Sequence, residues 1–533
     1  MRRESVRRQS LSHRGAVEHF KKFARLRVVL RCCHGEMLFL LLCCQPHFEP
    51  VSMPSLLIHR VRCVATLDHA DPAQASELRD ASIFIRDQRI AYIGPDAGLP
   101  DDARRADETI DAHRHLVTPG LVNTHHHMYQ SLTRAIPAVQ NAELFSWLRG
   151  LYPIWAGLTP EMVHVSTQVA MAELLQSGCT TSSDHLYLYP NGVRLDNSID
   201  AAREIGMRFV ATRGSMSVGQ SQGGLPPDRV VEREDFILKE TQRLIEQHHD
   251  ASFGSMLNVA VAPCSPFSVS RDLMRESALL ARAHGVRMHT HLAENDHDLA
   301  YSREKFNCTP AQYAQDLGWL GPDVWHAHCV KLDDEGISLF AATRTGVAHC
   351  PCSNMRQASG IAPIRRMLDA GVPVGLGVDG SASNDAAHLV NEARQAMLLA
   401  RVGRAMQPPE TREGRTFFGC DLGPAEMTAR DALSLATRGG AQVLGRSDIG
   451  HLAVGMCADL ALFDLDTLGF AGGAVHDPVG ALLLCASPQA AYTVVNGRVV
   501  VRDGQLTTVD LGPLLERHNA LALQLAQQAL LTR

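Results

Sequence analysis

The chain has 533 residues, 45% of them hydrophobic, enough for one large domain with a sizeable core and a smaller companion. Its net charge of -6 is unevenly spread, because ten Lys/Arg against four Asp/Glu put the first 52 residues at +6 and leave the remainder at -12. An acidic body excludes the basic face of a nucleic-acid binder, and no apolar run is long enough to cross a membrane.

The first 52 residues differ in character from everything that follows. They carry clustered arginines (RRESVRR, KKFARLR) and one apolar run, MLFLLLCC, which is eight residues long and lacks a small-residue cleavage site. That run is too short for a membrane span and poorly placed for a signal peptide. The expectation is a non-native or disordered extension upstream of an initiator at Met53. Of 14 cysteines four lie in this extension and none forms a CxxC pair. Without a secretion signal they read as reduced thiols of a cytoplasmic protein. Cys350 and Cys352 in HCPCSN read as buried free thiols on a strand.

Residues 53–117 contain alternating apolar patterns such as SIFIRDQRIAYIG, which predict strands and hairpins. From residue 118 to 445, short β-type runs alternate with helical stretches. Eight runs stand out, at 121–127, 180–187, 208–215, 257–264, 287–294, 324–330, 346–353 and 373–380. Eight βα units predict a (β/α)8 barrel. PEMVHVSTQVAMAELLQSG and SRDLMRESALLARAHG show apolar spacing near 3.6 and end at Gly, as outer helices should. The Gly/Pro-rich stretch 217–228 has the composition of a lid. Residues 446–510 return to β patterns with Asn-Gly and Asp-Gly turns, and 511–533 form a terminal helix. The fold class is therefore α/β: a distorted TIM-type barrel with a small β-sandwich built from both chain ends.

Four scattered residues have the chemistry of one metal centre: His125 and His127 in VNTHHHMYQ, His291 in HTHLAE, and Asp379 in GLGVDGS. A borderline metal such as Zn2+ takes imidazole nitrogens and carboxylate oxygens and keeps a position open for water, whose pKa it lowers to about 7. The same donor set suits Fe2+. On a strand, alternate residues share a face, so His125 and His127 point together and His126 away. With 26 His in the chain, a lone H-x-H means little. The signal lies in the order of the pieces and in the apolar run before each. Glu294, three residues past His291 where a strand ends, is placed as a general acid/base.

The motifs PGLVNTHHH, HTHLAE, HAHCV, HCPCSN and GLGVDGS, in this order, resemble the amidohydrolase superfamily, in particular its mononuclear cytosine/guanine deaminase-like branch. The resemblance covers residues 54–510. It implies that His328 orients the attacking hydroxide, that Asp379 takes a proton from water, and that Glu294 protonates a ring nitrogen before ammonia leaves. No lysine stands in LNVAVAPC, so the resemblance implies one metal rather than two. It also implies a small, flat, aminated heterocycle as partner, of the 8-oxoguanine kind, with guanine and hydroxytriazines carrying an alkylamine as alternatives. Outside this class, a metal-free scaffold and a cyclic-amide opener are the competing readings. Homo-oligomerisation is expected only from its general frequency.

For substrate contacts, the resemblance gives Gln130, which completes H-x-H-x-x-Q, a role at the purine edge. Arg213 in VATRGSMS has a fork of donors suited to a ring carbonyl, against a structural salt bridge. His185 in SSDHLYLYP either touches substrate or packs beside the metal. Trp147, Tyr129 and Phe267 are candidate stacking platforms, with core packing favoured for Trp147. Cys329, Cys350 and Met355 are expected as wall residues.

Overall fold

A computed structural model describes residues 54–68, 76–485 and 488–531. The expectation for residues 1–52 therefore lies outside the described residues. Eight parallel strands close into a barrel in chain order: Leu121–Asn123, Cys179–Leu186, Arg208–Ser215, Leu257–Pro263, Met288–Leu292, Val324–His328, Gly346–His349 and Val374–Leu376. Seven of them fall inside predicted runs, and Cys179–Leu186 begins one residue before its run. The helices between them start and stop for local reasons. Thr159 accepts from the Met162 amide to open Pro160–Gln176, and Ser270 caps Arg271–His284, which ends at left-handed Gly285.

The first and last runs do not continue as single strands. The Asn123 side chain accepts a hydrogen bond from the Val378 amide at 2.8 Å, taking the place of a backbone partner. The ladder breaks there and resumes as a two-residue pair, His126–His127 against Asp379–Gly380, with Asp379 opposite His126. His125 thus sits in the break, not on a continuous strand, which corrects the simple H-x-H picture.

Both chain ends build one sheet of nine strands. His115–Pro119 is its junction, running parallel to Leu56–Ala65 and antiparallel to Leu460–Asp464. One face of this sheet buries Ile58, Val61, Ile83, Ile85, Leu460 and Val494 in a core of its own. The opposite face gives Cys63, Leu116, Ala461 and Phe463 to the main core around the barrel. Arg208 at the start of the third barrel strand fastens the two, donating to Asp459 at 2.6 Å and to the carbonyls of Gly254 and Ser255, with its side chain fully buried. The terminal helix Leu511–Leu531 buries Leu521 and Leu525. Its His518 meets Ser131 Oγ at 3.1 Å, in the 3-10 turn Met128–Thr133 that carries Gln130. Among the described residues no helix is long and apolar enough to cross a membrane.

Candidate metal centre and active site

The C-terminal ends of the strands bring the predicted ligands together. The donor atoms of His125, His127, His185 and His291 lie within 4.8 Å of one another, as do those of His125, His328 and Asp379. Hydrogen bonds behind the rings fix which nitrogen faces inward. His127 Nδ1 lies 2.7 Å from the His185 carbonyl and His291 Nδ1 lies 2.7 Å from the Cys264 carbonyl. A carbonyl only accepts, so each Nδ1 carries the proton and each Nε2 is a bare lone pair. Those two Nε2 atoms stand 3.1 Å apart. Two lone pairs at that separation repel unless a cation lies between them.

The third histidine is set by a relay. His289 Nδ1 donates to the Trp325 carbonyl at 3.0 Å, which leaves its Nε2 free to accept from His125 Nδ1 at 2.8 Å. His125 Nε2 is then buried with no hydrogen-bond partner. Asp379 Oδ1 is 3.3 Å from both His125 Nε2 and His127 Nε2. Burial keeps the imidazoles neutral, holding His291 down to about 3 and His125 and His127 below their ordinary values. Neutral imidazoles, a buried carboxylate and an orphaned Nε2 fit one divalent cation, with His125, His127, His291 and Asp379 to hold it. His126 stays outside the cluster, its Nδ1 accepting from the His127 amide.

Around this cluster further polar side chains meet His328 and Asp379. His328 Nε2 is 3.5 Å from Glu294 Oε2 and 4.0 Å from Asp379 Oδ2. Asn354 Nδ2 meets His328 Nδ1 at 3.1 Å, so His328 presents its Nε2–H to the two carboxyls. Asp379 Oδ2 accepts from Ser353 Oγ at 2.6 Å and Ser383 Oγ at 3.1 Å. Burial pushes the Glu294 carboxyl well above its ordinary value, and Asp379 and Asp298 add to the shift. That shift favours the protonated acid. Four non-glycine residues at these strand ends, Ala293, His328, Cys329 and Asp379, have φ between 51° and 72°. Left-handed backbone at such residues costs energy and marks a site whose geometry is imposed by its surroundings.

A pocket opens onto these groups, lined by His127, His291, Glu294, His328 and Asp379 and walled by aromatic and amide side chains. Gln130 lines it, with Oε1 unpartnered and its amide lying against Gly380, where a Cβ would come within 1.8 Å of that oxygen. Trp147 and Phe267 also line it. Trp147 is core as well, 4% exposed and donating Nε1 to the Ala382 carbonyl. Tyr129 is not in the wall; its ring packs edge-on against Trp155 and Tyr187.

Two expected substrate contacts go elsewhere. Arg213 is 1% exposed, binds both oxygens of Glu232 at 2.9 and 3.0 Å and lies over the Tyr189 ring, outside the pocket lining. Its Nη2 is taken by Glu232 and its Nη1 by the Gly214 carbonyl, the arrangement of a structural salt bridge. His185 packs beside the metal cluster, stacked on His291 at 5.0 Å with Nε2 donating to the Ala262 carbonyl, and also leaves the pocket wall to others. Cys264, Tyr152, Tyr187 and Gln357 form wall in place of Cys329, Cys350 and Met355. Of the supporting residues, His289 was within reach of sequence reasoning, since H-x-H recurs at 289 and 291. Ser353, Ser383 and Asn354 carry no period or spacing that marks them.

Residues 116–505 match the Amidohydrolase family, and the chain belongs to it. It is an enzyme of that metal-dependent family, its barrel and ligand cluster being the parts the match spans. It is 49% identical over 414 residues to an 8-oxoguanine deaminase of Pseudomonas aeruginosa, covering 77% of this chain and 88% of the relative. A hydroxydechloroatrazine ethylaminohydrolase of Pseudomonas sp. strain ADP is 36% identical, covering 81% of this chain and 89% of the relative. Among solved structures, a zinc-complexed atrazine chlorohydrolase of Arthrobacter aurescens superposes with a TM-score of 0.80 at 33% identity, covering 88% of this chain and all of the other.

Proposed function

We propose that this enzyme is a hydrolytic deaminase that converts 8-oxoguanine and water to urate and ammonia. The observation that carries the reaction type is the convergence of two buried carboxyls on one ring nitrogen, Glu294 Oε2 at 3.5 Å and Asp379 Oδ2 at 4.0 Å from His328 Nε2, with burial favouring the protonated acid at Glu294. For Asp379, burial opposes ionisation, while the hydroxyls of Ser353 and Ser383 donate to Oδ2 and favour the carboxylate. A proton donor and a proton acceptor thus flank one hydrogen-bond donor, which is what addition of water across a ring C=N bond requires. A divalent cation held by His125, His127, His291 and Asp379 supplies Lewis acidity that makes water nucleophilic at neutral pH.

In this reading His328 Nε2–H orients the attacking oxygen and Asp379 Oδ2 takes its proton. Glu294 gives its proton to the ring nitrogen beside the attacked carbon; Asp379 then passes the proton it took to the leaving nitrogen, ammonia departs as the C=O forms, and the hydroxyl proton released returns to Glu294. Gln130 offers its unpartnered amide oxygen to the purine edge. The identity of the ring rests on the similarity to the Pseudomonas aeruginosa enzyme. The second reading is loss of an alkylamine from a hydroxytriazine, favoured by the Pseudomonas sp. relative and open to the same proton transfers. Zinc is the proposed metal, as in the Arthrobacter aurescens structure, with Fe2+ the alternative.

The test is a coupled ammonia- and amine-release assay on metal-loaded enzyme with 8-oxoguanine, guanine, cytosine and hydroxyatrazine. The proposal expects the highest kcat/KM with 8-oxoguanine. Release from none of the four would remove the deaminase reading, and a clear preference for hydroxyatrazine would replace the ring.

A further inference from the structure

The helix Pro351–Arg356, which follows the seventh barrel strand, braces the site twice. Ser353 donates to Asp379 Oδ2, and Asn354 donates to His328 Nδ1. Residues three and four apart share a helix face. Gln357, four past Ser353 and three past Asn354, therefore continues the same face into the pocket. It is 4% exposed and forms part of the wall that also holds Glu294, His328 and Trp147.

Its backbone is fixed on both sides. The Gln357 amide bonds to the Ser353 carbonyl at 2.9 Å, Ala358 turns left-handed at φ 55°, and the Ser359 amide bonds back to the Asn354 carbonyl. Arg356, the residue before it, is tied to Asp385 at 2.8 Å and to the Gln140 carbonyl at 2.9 Å. The side chain nevertheless ends in two unmet groups: neither Nε2 nor Oε1 of Gln357 has a hydrogen-bond partner in the protein. A buried primary amide with both ends unpaired is rare and costly, whereas a leucine of similar length would carry no such penalty. Leu144 and Leu148 fill other parts of the same wall without polar groups.

We infer that Gln357 is a specificity-determining contact that reads a ring edge on which N–H stands beside C=O. A carboxamide presents one donor and one acceptor side by side in a plane, the complement of a lactam or cyclic-urea edge. Paired amide contacts of this kind discriminate between rings by donor–acceptor order, as they do when Gln or Asn reads adenine. Being braced by the helix that holds Asp379 and His328, Gln357 couples the position of the bound ring to the groups that transfer protons. This inference rests on the heterocyclic-deaminase reading for its ligand class.

The experiment compares full-length, metal-loaded wild type with Gln357→Leu and Gln357→Met. Turnover is measured on whichever ring of the assay panel the wild type prefers, and urate binding by calorimetry, which needs no turnover. The inference expects KM and the urate Kd to rise about ten- to hundredfold in both variants, with kcat within about threefold, metal content unchanged and the unfolding midpoint of the free enzyme equal or higher. Unchanged KM and unchanged urate affinity in a folded variant would overturn it while leaving the deaminase reading intact. Urate binding that weakens in the variants, in a wild type that deaminates none of the rings, would sustain the Gln357 contact and remove the proposed reaction. A wild type that neither binds urate nor releases ammonia overturns both.

Discussion

His125 and His289, 164 residues apart in the chain, are joined at 2.8 Å through Nδ1 and Nε2, and His289 stacks on Trp325 with ring centroids 4.5 Å apart. His289 is thus a fixed acceptor that leaves His125 Nε2 unprotonated, the tautomer the proposed metal role needs. Supports of this kind typically account for about 10- to 100-fold in metal affinity. His289→Phe preserves the ring stack and removes the acceptor. The expected outcome is a purified enzyme with much less than one equivalent of metal at limiting supply, with activity restored by excess zinc. Unchanged metal content under chelator challenge would show that His125 keeps its orientation without help.

Glu294 is assigned the proton that enters the ring. Glu294→Gln keeps the shape and the hydrogen-bonding capacity of the protonated acid but cannot release a proton. Metal content should stay at wild-type level while kcat falls about 10²- to 10⁴-fold, the range for loss of a general acid/base. Metal analysis by plasma emission together with steady-state kinetics checks both halves. A variant with near-wild-type kcat would take Glu294 out of the reaction.

Much of this architecture is legible in the chain because two periods carry it. Alternation and short apolar runs located all eight barrel strands, and 3.6-residue spacing with terminal Gly located helices such as Arg271–His284. The clustering of His125, His127, His291 and Asp379 was legible because barrel sites sit where strands end. What the periods cannot carry is which polar side chain finds which. The break at His125 depends on Asn123 meeting Val378, 255 residues away, and the brace on Asp379 depends on Ser353 and Ser383. Arg213 has the right residue type at the right strand end for a substrate clamp, yet Glu232, on the loop beyond, takes its guanidinium. Gln357 is invisible for a related reason: one turn past the HCPCSN motif, nothing but the helical register turns it inward.

The Arg213–Glu232 pair separates a structural role from a binding role. Both groups are largely buried, the side chains being 1% and 14% exposed, and Arg213 Nη2 meets both oxygens of Glu232. Removing one member leaves the other charge in a poor environment, at a cost of about 3–5 kcal/mol. Glu232→Gln should therefore lower the urea-unfolding midpoint markedly and leave KM for the preferred ring within about twofold of wild type at a temperature where the variant is folded. A large KM effect with undiminished stability would return Arg213 to the substrate site.

His518 gives the terminal helix a pH dependence of defined sign. Ser131 Oγ donates to the Ser166 carbonyl, which leaves His518 Nε2 as donor to Ser131 and the ring neutral. Burial, then the nearby Arg134 charge, lower its pKa from 6.5 to about 4, the Asn519 side chain opposing weakly. Between those two values the unfolded chain binds a proton that the folded one does not, so this histidine makes stability rise with pH and be lost as pH falls from about 6.5 to 4. The shift sets an upper bound of about 3 kcal/mol on the loss. The buried carboxyls of Asp184, Asp298 and Glu392, raised by burial to about 7, 6 and 7, slope the other way over much of this range. The difference between proteins isolates His518: His518→Gln keeps a donor for Ser131 but cannot titrate. Urea midpoints of wild type and variant should diverge as pH drops from 7 to 5, the wild type losing more. Amide protection factors along Leu511–Leu531, with the intrinsic pH dependence of exchange divided out, should fall over the same interval in the wild type alone. Parallel midpoint curves for the two proteins would mean that the helix stays docked around a charged His518.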